Sequence, residues 1–212
     1  LAIIGVVAAL TIPAVITKVT NDQYVVGLKK AYNTLKSVER EAIQENGELI
    51  SWYTPSADIL AIFKQYLKPH FDILKDCGEA TDEACFATGD YRVLSNRTTD
   101  NPDERTGYKF ITSDGMAFLV ESRDSTSPDM YITVDVNGSK KPNQFGKDVF
   151  VFTFYDNGTK PYGYYWSSEN INSNCLSKDN GVVCSAKVLS EGEINYSSGS
   201  EQGSTVWPME PQ

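Results

Sequence analysis

Apolar residues follow three different rhythms along this chain. Residues 1–16, LAIIGVVAALTIPAVI, carry no charge, and Lys18 is the first ionic group. The apolar positions then thin to a stripe: Tyr24, Leu28, Ala31, Leu35, Val38 and Ala42. Spacings of three and four place these on one face of a helix. One helix therefore changes surroundings along its length. Its first part is apolar all round and suits lipid or other helices, and its second part is amphipathic and suits a domain packed on one side. Asn46-Gly47 closes it, glycine being common just past a helix end. Lys29, Lys30 and Lys36 stand against Glu39, Glu41 and Glu45, which predicts a solvated face with intrahelical pairing.

The period changes to two from Tyr108 onward. YKFIT at 108–112 and MAFLVES at 116–122 flank Ser113-Asp114-Gly115 and predict a hairpin. MYITVDV at 130–136 sets Met130, Ile132, Val134 and Val136 against Tyr131, Thr133 and Asp135, the pattern of a half-buried antiparallel strand. VFVFTFY at 149–155 puts Phe150, Phe152 and Phe154 on one face, and Asp156-Asn157-Gly158 turns the chain into a last short strand at 159–165. Before the strands, a connection through Tyr53-Thr54-Pro55 leads to a short helix over 57–68. Asp58 or Ser56 caps it, and Ile59, Ile62, Phe63 and Tyr66 point inward. Residues 95–107 read as a polar loop with no apolar anchor. Residues 166–212 are rich in Ser, Asn and Gly, with Val206-Trp207-Pro208 as an apolar docking element.

These elements predict an α+β fold in which a long N-terminal helix packs on a three- to four-stranded antiparallel sheet. Residues 1–23 form the apolar segment and residues 24–212 the globular head. Sixteen helical residues reach about 24 Å against a hydrocarbon core of about 30 Å, so the apolar segment alone is short for a membrane span. Pro13 cannot donate to Ala9, and Gly5 is a second weak point, so the helix needs neighbours here.

IIGVVAALTIPAVI, followed by an amphipathic helix and an acidic domain, resembles the N-terminal region of type IV pilins and of the related pseudopilins of type II secretion. Pro13 stands at the family's helix-breaking proline. The likeness continues more loosely through LKKAYNTLKSVEREAIQENG at 28–47, and weakly in SDGMAF at 113–118 and DVNGSKKPNQFGKDVF at 135–150. The resemblance implies a pilin-like fold. It also implies further residues ahead of Leu1, among them an N-methylated Phe and a nearby Glu, neither of which this sequence contains. In a filament the helix is expected to lose regularity somewhere from Gly5 to Pro13 and to resume from about Ala14, with a continuous but kinked helix as the competing outcome. The residues that would build a filament core here are Leu1, Ile3, Ile4, Val6, Val7, Leu10, Ile12, Pro13, Val15 and Ile16.

Charge narrows the partners. Twenty-eight acidic against nineteen basic residues give net −9, which argues against nucleic acid as an electrostatic partner. Four cysteines, Cys77, Cys85, Cys175 and Cys184, allow three connectivities, of which local pairing within each short segment is the simplest. Disulfides imply an oxidising compartment, whereas free buried thiols would not. No C-x2-C knuckle supports zinc.

Catalytic chemistry finds little to stand on. His70 is the single histidine, follows Pro69 and has no Ser or Cys motif beside it. No phosphate-binding or dinucleotide-binding glycine pattern occurs. The richest polar constellation is Asp135, Asn137, Gly138, Asn143, Gly146 and Asp148. Asp-x-Asn-Gly is how a calcium loop begins, although the spacing to Asp148 is not that of an EF-hand. Some pseudopilins hold calcium in a loop between strands, so the resemblance makes Asp135, Asn137, Asn143 and Asp148 candidate calcium ligands. A hydrogen-bonded turn without metal is the other reading, and Lys140, Lys141 and Lys147 weigh toward it.

The function expected from these observations is structural and non-enzymatic. The chain waits in the inner membrane with a periplasmic head, engages pilus assembly machinery, and polymerises with copies of itself into a helical, extracellular filament for adhesion, motility or DNA uptake. A type II secretion pseudopilin and a membrane-anchored periplasmic binding domain are the alternatives.

Overall fold

The computed structural model describes residues 2–52, 58–81, 84–122, 129–155, 157–176 and 179–196, with the backbone alone for 2–15 and 155. Ser56, the alternative cap, the Tyr53-Thr54-Pro55 connection and Val206-Trp207-Pro208 lie outside the described residues.

Helix α1, Ala2–Asn46, runs through Gly5 and Pro13 without a break in this single chain. The loss of regularity expected between them concerns a packed filament and is not a feature of the isolated subunit. Gly47 ends the helix in the left-handed region at φ +81°, its N–H donating to Ile43 O at 2.9 Å. Leu28, Ala31, Leu35, Val38 and Ala42 are buried as the stripe requires, and Val25 joins them. Tyr24 is half-buried.

The sheet under α1 has six antiparallel strands, not three or four. They are β1 (Ile73–Gly78), β4 (Tyr108–Thr112), β5 (Ala117–Ser122), β6 (Met130–Asp135), β7 (Val149–Tyr155) and β8 (Gly158–Pro161), in the order β1-β4-β5-β6-β7-β8. β1, which the sequence pattern does not mark as a strand, is an edge strand with two register shifts and an exposed Leu74. It lacks the alternation that marks a half-buried strand. A separate two-stranded ribbon, β2 (Tyr91–Arg92) with β3 (Thr98–Thr99), lies within the segment before β4.

The inner face of the sheet supplies Phe110, Phe118, Ile132, Val134, Phe150 and Phe152 to the core beneath α1. Helix α2, Ile59–Ile62, is capped by Asp58, whose carboxylate accepts from Leu60 N at 3.0 Å. A π-helical turn, Phe63–Leu67, and a 3-10 turn, Lys68–His70, carry it to Pro69 and beyond. Phe63, Phe71, Phe110 and Phe118 then form one aromatic cluster with centroids 4.9–6.1 Å apart.

The outer face is covered too, which corrects the half-buried reading of β6. Thr133 and Asp135 are buried there, and Tyr91, Phe145 and Phe86 pack over Ala117, Leu119, Val149 and Val151. The 95–107 segment is anchored by hydrogen bonds in place of apolar side chains. Asn101 caps the 3-10 turn Pro102–Glu104, and Asp103 accepts from Cys85 N and Phe86 N, both at 3.0 Å. The C-terminal region contains α3 (Ser168–Asn174) and α4 (Cys184–Glu191), two short helices that its polar composition conceals.

Glu39 departs from the solvated face expected of it. It is 8% exposed, its Oε2 accepts from Thr159 N at 2.7 Å, and Lys36 Nζ meets Oε1 at 2.8 Å. Gly158, at φ +91°, leaves room for this carboxylate, since a Cβ there would lie 2.4 Å from Glu39 Oε1. The pair clamps α1 to the β7–β8 turn. Glu39→Ala strands the buried Thr159 N–H and is expected to cost about 1–3 kcal/mol, read as a lower midpoint in thermal melting. An unchanged midpoint would remove the clamp. Lys30 pairs with Asp114 at 3.0 Å, and Glu41 and Glu45 face His70 at 3.8 and 3.3 Å, so the expected intrahelical pairing is partly replaced by contacts to other elements.

Candidate functional site

The two cysteine pairs are local: Cys77 bonds Cys85 and Cys175 bonds Cys184, and no cysteine is free. The first ties the end of β1 to the segment over the outer face. The second ties α3 to α4, whose Ser185 Oγ accepts from Val151 N of β7 at 2.9 Å. Replacing both Cys175 and Cys184 by Ser is expected to cost about 2–3 kcal/mol, since a nine-residue separation closes a short loop. Denaturant melts of variant and parent measure this, with the midpoint rather than the slope moving.

Asp135 ends β6 and Asp148 immediately precedes β7, so sheet register brings the two ends of one loop together. Val136 N donates to Asp148 O at 2.9 Å across the loop's neck. Both carboxylates are fully buried. The Asp148 carboxylate accepts from Gln144 N at 2.7 Å, Asn143 N at 2.9 Å and Asn137 Nδ2 at 3.0 Å. Asp135 accepts from Tyr91 Oη at 2.9 Å and from Asn137 N at 3.2 Å. Tyr91 is fully buried, and its hydroxyl in turn accepts from Ala87 N at 3.1 Å. Asn143 sits at φ +54°, which asparagine tolerates better than most residues.

Burial dominates the electrostatics. It pushes the Asp135 carboxyl well above the usual carboxylate range, and the neighbouring Asp148 charge adds to the rise. It raises Asp148 as well, against the opposing pull of the Gln144 and Asn143 N–H groups. The Tyr91 phenol is pushed up by burial and then by Asp135. None of the ion pairs among the described residues involves either carboxylate. Lys140 and Lys141 of the same loop are exposed, and Lys147 is half-buried.

All four candidate ligands, Asp135, Asn137, Asn143 and Asp148, thus belong to one buried cluster. Asn137 Oδ1 and Asn143 Oδ1 are buried and accept no hydrogen bond. Two carboxylates and two orphaned amide oxygens fit a hard cation in donor type. The carboxylates also have the N–H and O–H donors that a metal-free turn requires. Among the described residues no group of three or more His, Cys, Asp or Glu side chains could hold a metal ion, so a cation here would depend on the amides. Tyr91 and Tyr24 are additions that local reading of the loop cannot supply. Tyr91 lies 44 positions before Asp135, and Tyr24 reaches Asn137 from α1.

The side chains of Leu1, Ile3, Ile4, Val6, Val7, Leu10, Ile12, Pro13 and Val15 lie outside the described residues. Ile16 and Val19 are exposed, and Val25 is the first buried residue among the described side chains of α1. No helix among the described residues is long and apolar enough to cross a membrane. No family model, no curated protein and no solved structure matches the chain.

Proposed function

We propose that this chain is the structural, non-enzymatic subunit of an extracellular type IV pilus-like filament. One observation carries the reading. A single helix of 45 residues carries the charge-free residues 2–16 at its start, and among its described side chains those buried in the core begin at Val25. A charge-free helical segment of this length needs an apolar environment. Before assembly that environment is the inner membrane, with the head in the periplasm. After assembly it is the matching helices of other copies, in a head-to-tail array that grows without closing. Two disulfides suit a head that works in an oxidising compartment.

The secretion pseudopilin is the second reading, favoured by the buried Asp135–Asp148 pair and its orphaned amide oxygens. It shares the helix and the sheet but makes a short periplasmic piston. Negative-stain microscopy of sheared cell-surface material, with mass spectrometry for this chain, separates the two. Long filaments containing the chain are expected. Sheared material free of it, with the chain confined to the envelope, would reject the pilus.

A further inference from the structure

A cavity of about 300 Å³ opens on the outer face of the sheet, the face turned away from α1. Glu121, Tyr131, Thr133 and Val151 lie side by side on its floor. Glu121 is opposite Tyr131 in the β5–β6 register and Thr133 is opposite Val151 in the β6–β7 register, so all four share one face. The segment over the sheet contributes Thr99, Asp100 and Arg105 to the mouth. Tyr162 closes one side, its ring edge-on to Tyr131 at 5.4 Å.

The polar groups in this cavity are mixed in kind. Glu121 is only 8% exposed, and burial raises its carboxyl against the opposing charges of Arg105 and Lys109. Arg105 Nη2 pairs with Glu121 Oε2 at 2.8 Å, so a charged acceptor and a charged donor stand side by side in the cavity. A carboxylate has more lone pairs than one such contact occupies. The guanidinium beside it has five N–H groups and needs acceptors. A hydroxyl is both donor and acceptor, so neighbouring hydroxyls on one ligand can serve both residues at once. A simple cation would meet Arg105, and a simple anion would meet Glu121 and Asp100. The two tyrosines add apolar ring surface on which an aliphatic C–H face can pack. The volume lies at the small end of ligand pockets and suits one ring.

We propose that this cavity binds a single pyranose unit of a neutral carbohydrate. Glu121 accepts from one hydroxyl, Arg105 donates to its neighbour, and Tyr131 and Tyr162 pack on the sugar's C–H surface. The inference does not depend on whether the chain forms filaments.

The test is saturation-transfer NMR on the full chain in detergent micelles. The probes are the methyl glycosides of glucose, galactose, mannose and N-acetylglucosamine, each at about ten times a millimolar dissociation constant. Transfer to at least one glycoside is expected. Glu121→Gln should weaken it about 10-fold or more, because an acceptor loses much of its strength with its charge. Thr99→Trp, at the partly exposed mouth, should abolish it without moving the melting midpoint, and this variant decides the matter if Glu121→Gln does not fold. No transfer from any glycoside overturns the proposal, as does transfer unchanged in Thr99→Trp. Binding of butylammonium without any glycoside also overturns it, in favour of an amine site.

Discussion

A chain lacking residues 1–17 is expected to stay monomeric and to melt within about 0.5 kcal/mol of the full chain's head, the usual limit for changes away from a packed core. Among the described side chains of α1, those that pack into the core run from Val25 to Ile43, and the truncation leaves these in place. The Glu39–Thr159 clamp and both disulfides also remain. What is lost is the charge-free segment with Ile3, Ile4, Val6, Val7, Leu10, Ile12, Val15 and Ile16. A fully buried Val, Leu or Ile contributes about 1.5–3 kcal/mol, so removing several from each subunit would deprive the proposed filament of its main cohesive term. Sedimentation velocity, far-UV circular dichroism and electron microscopy read the three outcomes separately. Filaments from the truncated chain would show that the apolar segment does not build the core. A truncated chain that fails to fold would show instead that the segment belongs to the head.

Much of this arrangement is legible in the order of residues alone, and the rest is hidden for physical reasons. The stripe from Leu28 to Ala42, the hairpin of β4 and β5, and the aromatic face of β7 all come from periodicity, because each presents a regular apolar face to the core between α1 and the sheet. β1 is hidden because an edge strand with bulges need not alternate. The two C-terminal helices are short, and α3 buries only Ile171, so little of an apolar stripe is there to find. Glu39 is misplaced because a charged residue on a helix is normally solvated. Lys36 and the Thr159 N–H, the latter 120 positions away, together make its burial tolerable. The loop from Asp135 to Asp148 is found by composition, yet its partners Tyr91 and Tyr24 arrive through tertiary folding. The sugar-sized cavity is invisible in the sequence, since Glu121, Tyr131, Arg105 and Tyr162 meet only when the outer face is covered.

Asp148→Ala is expected to lower stability by roughly 2–4 kcal/mol, because the buried Gln144 and Asn143 N–H groups lose their acceptor together. In a chain of this size that is about 4–16 °C in melting midpoint. The pH response divides the two readings of the loop. Asp135 and Asp148 both have carboxyls raised above the ordinary value of 3.8. A carboxyl raised on folding binds protons more tightly in the folded state. Its stabilising contribution is therefore full below the unfolded value and is lost as pH rises through the folded value. Without metal, the parent should gain stability relative to an Asp135→Asn/Asp148→Asn variant as pH falls from 7 toward 4. Asp76 and Asp114, whose carboxyls are lowered by hydrogen bonds and ion pairs, pull the other way, but they are common to both chains and cancel in the difference. Calcium reverses the sign, because the cation binds the ionised pair. At a hundredfold excess over its dissociation constant it would add about 2.7 kcal/mol at neutral pH, and that gain would fade on acidification. Melting curves at several pH values, with calcium and with chelator, measure both slopes. A chelator-sensitive midpoint that Asp148→Ala renders insensitive assigns the loop to calcium. Identical curves with and without chelator, rising toward acid, leave a hydrogen-bonded turn whose two carboxylates are stabilised by protons alone.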